Sequence, residues 1–395
     1  MKALSLSARA GQLKPSPTLG ISAKAQALKA QGIDVVSLAA GEPDFPTPRP
    51  IREAAIDALN AGFTKYGPTP GDPELRRVIS DKLWNENSVR AAAEQIVIST
   101  GAKQSLFNAC NVLLDPGDEV IVIAPYWMTY PEQVRLAGGV PVKVQTTAES
   151  DFVPSLEQLS EAVTPRTKAL ILNSPTNPTG AVFPRETIKG IAELATRHDF
   201  WVIADEIYEK LIYGHEHVSV ASFGSDISER TITIGGCSKT FAMTGWRIGF
   251  AAAPVPVAKA MSNFQDQVTS NANSFAQKGA IRAFTLSDAS VEDMRTEYES
   301  RRNLVIQLLR EIPRVSVNVP HGAFYAMPDV SAYLGGRIKT DMELAEYLLD
   351  EVKVATVPGS VFEGHGHIRI SYASSRENLR KGIERISEGL RNLGA

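Results

Sequence analysis

Cysteine is scarce in this 395-residue chain: there are two, Cys110 and Cys237. They form neither a CxxC pair nor a spaced framework, which excludes a disulfide-stapled scaffold; both read as packed thiols of a reducing compartment. No apolar run approaches the roughly 20 residues that a bilayer requires, so no membrane span is expected. Met1 to Arg9 lack the apolar core and cleavage pattern of a secretory signal, and a cytoplasmic location is the expectation. Neither sign of charge predominates: 41 Lys and Arg against 44 Asp and Glu leave a net charge of −3. That offers no footprint for nucleic acid or an anionic membrane and favours small-molecule chemistry. Internal repeats and low-complexity linkers are absent as well. The pairs His215-Glu-His217 and His365-Gly-His367 lack further ligands at suitable spacing, so no metal is expected. No Ser-His-Asp ordering is legible, and hydrolysis is unsupported.

The sequence does contain enough apolar residues, 43% against 22% charged, for more than one core, so two domains are expected. Ala23 to Gln31 reads as a helix and Val35 to Ala39 as a strand running into Gly41-Glu-Pro-Asp-Phe-Pro-Thr-Pro48. That loop is too rich in proline for regular structure and must cross the surface or line a cleft. A helix over Pro50 to Ala61 precedes a second irregular loop, Lys65 to Gly71. From residue 95 the pattern alternates: strand 95–99, helix 103–114, strands 119–123 and 168–172, helix 185–198, strand 201–204. Short apolar runs separated by helices predict an α/β fold with a buried, mainly parallel sheet, whose ligands sit beyond the carboxyl ends of the strands. After Val268 the pattern changes. A long helix over 291–310, strands at 315–319, 323–327, 355–357 and 367–372, and a last helix over 376–393 predict a smaller α+β domain, with which the N-terminal segment is expected to pack. The expected division is 1–45, 46–285 and 286–395.

The strand ends carry the candidate chemistry. Lys239 follows the strand-like Thr231 to Ile234, with Arg247 eight residues on, which suggests a Schiff-base cofactor site; a solvated surface lysine is the bland alternative. Asp205 ends a very apolar strand. A helix-start acid is its ordinary reading, yet a carboxylate there needs a cationic partner because desolvating it alone is expensive. A protonated pyridine nitrogen would serve. Asn177, held between prolines after another buried strand, reads as a turn residue or a ligand. Ser99-Thr-Gly-Ala-Lys103 joins a strand to a helix, and the free N–H groups of Gly101, Ala102 and Lys103 suit a phosphate, with Ser238 and Arg247 as further donors.

At these spacings Asn177-Pro-Thr-Gly180, Asp205-Glu-Ile-Tyr208 and Ser238-Lys-Thr-Phe-Ala-Met-Thr-Gly-Trp-Arg247 resemble the class I pyridoxal-phosphate-dependent aminotransferases of fold type I. Gly41-Glu-Pro-Asp-Phe45 and His367-Ile-Arg-Ile-Ser-Tyr372 extend the resemblance over nearly the whole chain. Leu13-Lys-Pro-Ser-Pro-Thr18, Thr64-Lys-Tyr66 and Pro125-Tyr-Trp127 place it nearest the bacterial aspartate aminotransferase and aspartate/prephenate branch. The resemblance implies a seven-stranded sheet and pyridoxal 5'-phosphate as cofactor. It implies Lys239 as the Schiff-base and proton-shuttling residue, Asp205 as partner of the pyridinium, and Asn177 and Tyr208 as donors to the ring hydroxyl. Trp127 would lie over the ring. Gly101 to Lys103, Ser238 and Arg247 would hold the phosphate, with Tyr66 contributed by the partner of a homodimer. Larger animal-type members carry a serine three residues before the lysine; Gly236 stands there, leaving Ser238 as the substitute donor.

For the substrate, the resemblance implies that Arg369 forks onto the α-carboxylate and that the backbone of Gly41 approaches it, while Asn177 and Trp127 border it. Lys103, Ser16 and Thr18 match positions associated with a second carboxylate, which makes aspartate and glutamate the leading pair. A lysine matching Lys14 is implicated in prephenate amination, so that second activity stays open. The rivals are an aminotransferase for aromatic or neutral amino acids, a carbon–sulfur lyase keeping the cofactor, and a non-enzymatic amino-acid sensor of the same fold. The absence of a basic helix pair weighs against the sensor.

Overall fold

The computed structural model describes residues 6–7, 11, 17–286 and 289–394. Of the expected site residues, Lys14 and Ser16 lie outside them, and Thr18 is described only as a backbone position in the helix Pro17–Ala30. This helix starts earlier than the periodicity predicts.

The strands are β1 Val36–Ser37, β2 Ile96–Ser99, β3 Glu119–Ala124, β4 Val140–Gln145, β5 Thr167–Asn173, β6 Trp201–Asp205, β7 Thr231–Gly236, β8 Gly249–Ala252, β9 Tyr325–Ala326, β10 Val354–Ala355, β11 Val357–Pro358 and β12 Ile368–Ser371. Seven of them form one sheet in the order β2-β8-β7-β6-β5-β3-β4, parallel except for β8, which is antiparallel to both neighbours. β2, β3 and β8 are buried at every position, as expected of a sheet covered on both faces. The fold class is thus α/β with a mainly parallel seven-stranded sheet.

Register sets the site. Asn173 pairs with Asp205, and Asp205 with Ile234, so β5, β6 and β7 end side by side. Lys239 lies five residues past Ile234 and emerges at the same edge. Because β8 runs backwards, its first residue is at that edge too: Gly249 pairs with Ser99. Arg247, just before β8, is thereby delivered to Gly101, just after β2. The approach admits no side chain at two places. A Cβ on Gly249 would lie 2.2 Å from the backbone nitrogen of Ala102, and one on Gly101 would lie 2.4 Å from Arg247 Nη2. Gly101 also has φ +81°, which glycine adopts at little cost.

A second group of elements packs over this edge. β11-β12-β9 form an antiparallel sheet, and β1 pairs parallel with β10, so Val36 meets Val354. Val36 and Leu38 share a core with Tyr298, Phe324, Leu379 and Ile383. Leu379, Ile383, Ile386 and Leu390, on one stripe of the helix Arg376–Asn392, are buried there. The irregular loop after β1 is tied to the helix Ala289–Arg310: Arg301 Nη1 donates to both oxygens of Asp44 at 2.8 and 2.9 Å, with its guanidinium over Phe45.

Several local expectations need correction. Residues 315–319 form no strand; Ser316 makes one isolated bridge to Asp329. The run 355–357 is the junction of two short strands with different partners, split at buried Thr356. β4 and β8 escape the pattern for physical reasons. β4 is an edge strand with a proline and a single buried position, and Gly249-Phe-Ala-Ala252 has low strand propensity but is compelled into the sheet by its neighbours.

Candidate active site

Between the strand ends and the covering elements lies a cavity of about 630 Å³. Ala102, Lys103, Trp127, Asn177, Asp205, Tyr208, Ser238, Lys239, Arg247, Arg369 and Gly41 all line it. Gly101 stands immediately behind, against Arg247. Tyr66 does not join them; it is 93% exposed, beside a separate surface cavity. Among the described residues, five cations (Lys29, Lys103, Lys239, Arg247, Arg369) face the cavity against two carboxylates, Glu42 and Asp205. Such an imbalance in a partly dry space calls for a ligand with more than one anionic group.

Lys239 Nζ donates to the carbonyl of Gly41 at 2.5 Å and lies 5.8 Å from the Tyr208 ring centroid. Burial, followed by repulsion from Arg369 and offset in part by Glu42, pushes its pKa down to about 8. At that value about a tenth of the amine is neutral at pH 7, far more than at the ordinary lysine value of about 10.4, and the neutral form is what a nucleophilic amine requires. Asp205, 2% exposed, is affected in the opposite direction. Burial raises its carboxyl to about 6, against the hydrogen bonds from Tyr130 and the Ile207 N–H. Among the described residues no lysine or arginine comes within ion-pair distance of it, so its counter-charge is left to a ligand.

Arg369, on β12, is 4% exposed, its guanidinium carbon 4.4 Å from the Tyr325 ring centroid and 4.9 Å from that of Phe362. Its Nη1 donates to Asn177 Oδ1 at 2.9 Å and Nη2 to the Ala39 carbonyl at 3.0 Å, while Nε is buried without a partner. A buried donor left over in this way is costly unless a ligand accepts from it. Lys103 Nζ sits 4.8 Å over the Trp127 ring, and burial lowers its pKa. Tyr208 shares a 3.0 Å hydroxyl contact with Tyr325.

Residues not expected from the pattern complete the frame. Asn173 joins two strand ends, its Nδ2 donating to the Asp205 carbonyl at 2.9 Å and its Oδ1 accepting the Asn177 N–H at 3.0 Å. A polar residue ending an apolar run was the available signal, the same one that marked Asp205. Glu42 accepts from Thr244 Oγ1 at 2.8 Å, and the Thr244 carbonyl accepts from Arg247 Nη1 at 2.8 Å. Tyr130 and Tyr325 carried no local signal.

Of the histidines, His217 meets Glu206 and Glu209 in a cluster of candidate ligand atoms. The cation there is Lys82, whose ammonium donates to Glu209 and, at 2.7 Å, to Asn87.

A sequence profile described as Aminotransferase class I and II matches residues 33–386. The chain belongs to this aminotransferase family. It is 48% identical over 394 residues to a protein of Aquifex aeolicus named probable aspartate/prephenate aminotransferase, spanning 98% of this chain and 99% of that one. It is 47% identical over 388 residues to the aspartate/prephenate aminotransferase of Thermus thermophilus, spanning 98% of each. A solved structure of Thermus thermophilus aspartate aminotransferase with maleate superposes with a TM-score of 0.94 at 46% identity, covering 98% of this chain and all of the other.

Proposed function

We propose that this aminotransferase holds pyridoxal 5'-phosphate in the cavity and exchanges an amino group between L-aspartate and 2-oxoglutarate, yielding oxaloacetate and L-glutamate. The observation that carries the reading is the pair formed by Asp205 and Lys239 on neighbouring strand ends: a buried carboxylate without a cation and an amine of lowered pKa. The residues fit the cofactor. Asp205 would take the ring nitrogen; Asn177 and Tyr208 the ring hydroxyl; Ser238, Arg247 and the turn at Gly101, Ala102 and Lys103 the phosphate; Trp127 a ring face. When bound, the ring supplies an electron sink for the bond broken at the substrate Cα.

The chain's own contribution is binding and proton handling. Arg369 offers a flat, fixed guanidinium and an unpaired Nε to the α-carboxylate, with Gly41 and Asn177 alongside. Lys239 Nζ, once free, accepts the Cα proton, a task for which a pKa near neutrality is suited. Lys103 is the cation placed for a second carboxylate, and the maleate named with the Thermus structure is a dicarboxylate. Thr18 and Ser16 are kept in that proposal by their match alone. Prephenate is proposed as a second acceptor on the names of the relatives, with Lys14 as its determinant.

A homodimer is part of the proposal: Tyr66, fully displayed outside its own cavity, would complete the phosphate site of the partner. The division at residues 45 and 285 is proposed too, supported by the β1–β10 pairing. Among the described residues no helix is long and apolar enough to cross a membrane, and we propose a cytoplasmic location.

A single-turnover panel tests the function: aspartate, glutamate, phenylalanine and alanine as donors, then oxaloacetate, 2-oxoglutarate and prephenate as acceptors. Dicarboxylic donors should react fastest; parity with alanine would sink the assignment. Release of ammonia in place of stoichiometric 2-oxo acid transfer would favour the lyase. Replacing Lys103 with alanine is expected to lower kcat/KM for aspartate by about 10- to 100-fold, the worth of a hydrogen bond to a charged group, with alanine turnover little changed. The pH dependence of the cofactor-free protein follows from Lys239. The neutral amine attacks aldehydes, and its fraction grows as pH rises, so capture of pyridoxal phosphate should climb through about pH 8. A midpoint near the ordinary lysine value of about 10.4 would contradict the partly buried, cationic environment.

A further inference from the structure

Tyr130 stands in the first turn of the helix Thr129–Leu136 and is 3% exposed. Its hydroxyl donates to Asp205 Oδ2 at 2.7 Å, and the Ile207 N–H reaches Oδ1 at 3.3 Å. The two donors hold the carboxylate by both oxygens. The tyrosine ring is itself fixed, edge-on to Trp127 at 5.5 Å and packed with Val122 and Ile171.

We propose that Tyr130 is a positioning residue that keeps Asp205 ionised and oriented toward the cofactor's ring nitrogen, and so sets the affinity for pyridoxal phosphate. This rests on the cofactor reading given above. The groups acting on Asp205 comprise its neighbour Glu206, which disfavours a second negative charge, Lys239, which favours it, and the donors Tyr130 and Ile207 N–H. Lys239 acts on Asp205 through charge alone, so among the described residues the tyrosine hydroxyl is the side-chain donor to that carboxylate. Burial and the adjacent carboxylate hold the Tyr130 hydroxyl well above its usual titration range, so it remains a donor at every working pH. A protonated Asp205 cannot supply the counter-charge that a pyridinium needs.

Tyr130→Phe keeps the ring and removes the donor. Without it Asp205 protonates at higher pH, so affinity should suffer most on the acid side. In fluorescence titrations of cofactor-free protein with pyridoxal phosphate, the Kd of the variant relative to wild type is expected to be raised about tenfold at pH 6.5, the scale of one charged hydrogen bond. It should fall toward one by pH 8.5, where Asp205 is ionised in both proteins. Titration of the cofactor and of Lys239 is common to both and cancels in the ratio. In an Asp205→Asn background the same Tyr130→Phe change should leave Kd without that pH-dependent penalty. A ratio near one throughout, a ratio independent of pH, or an equal penalty in the Asp205→Asn background would each overturn the inference. Failure of wild-type protein to bind pyridoxal phosphate would instead overturn the cofactor reading beneath it.

Discussion

Lys239→Ala is expected to abolish amino transfer, with a loss of at least about 10⁴-fold, the upper range for a positioned acid–base group, because the proposed covalent anchor disappears with it. Two controls separate chemistry from collapse. Lys239→Arg restores a positive charge without a titratable amine and should be equally inactive; recovery of turnover would mean that charge alone matters. The second control is stability. In the cofactor-free protein, burial and the nearby Arg369 and Arg247 push the lysine down to about 8 from its ordinary value. The unfolded chain thus binds that proton more readily between the two values, so this lysine's contribution to stability rises with pH across the window. Below it the folded state bears a disfavoured charge costing on the order of 3 kcal/mol. Alanine removes the cost. Cofactor-free Lys239→Ala should therefore melt at pH 7 no lower than wild type, and a marked drop in Tm would show that the lysine is structural.

Fold class and the core of the site were legible in the sequence because their signals are local. An apolar run followed at once by a polar residue marks a strand end, which singled out Asp205; Asn177 and Lys239 were picked out a few residues further on, in the loops that leave two such runs. Arg369 was legible only through the resemblance, since an arginine in a four-residue strand looks like any surface arginine. Asn173 obeyed the same strand-end rule as Asp205 and was overlooked; its significance depends on the register that sets it opposite Asp205. Tyr130 and Tyr325 reach the cavity from separate elements, and nothing in their neighbourhoods distinguishes a phenol that meets Asp205 from one that fills a core. The antiparallel β8 was illegible for a related reason: Gly249 is required by the nearby Gly101 turn, so the residue that permits that close approach is the one that erases the strand signal.

The geometry also explains why the two ends of the chain and its middle must meet before the site exists. Gly41 and Glu42 arrive on the loop anchored by Asp44 to Arg301; Arg369 arrives on β12; Lys239 and Asp205 come from the large sheet. Glu42 is the link among them. It favours the charged form of Lys239 and, through Thr244, steadies the carbonyl that accepts from Arg247.

Arg369→Ala is expected to lower kcat/KM for amino acids by about 10³-fold, in keeping with the 3–5 kcal/mol cost of removing one member of a buried charge pair. Arg369→Lys should recover little, leaving a deficit of about 100-fold, because a single ammonium cannot reproduce the planar fork set against Tyr325 and Phe362. Affinity for pyridoxal phosphate at alkaline pH, above the Lys239 midpoint, should stay near wild type in both, which distinguishes a lost substrate contact from a damaged cavity. A second effect follows from the same residue. Arg369 is the leading charge that depresses Lys239, so its removal should let the amine hold its proton to higher pH. Cofactor-free Arg369→Ala should then capture pyridoxal phosphate with a midpoint shifted above 8, whereas Arg369→Lys, which retains the charge, should stay closer to wild type. An unmoved midpoint in the alanine variant would mean that burial alone tunes the lysine, and that substrate recognition and amine activation are independent in this site.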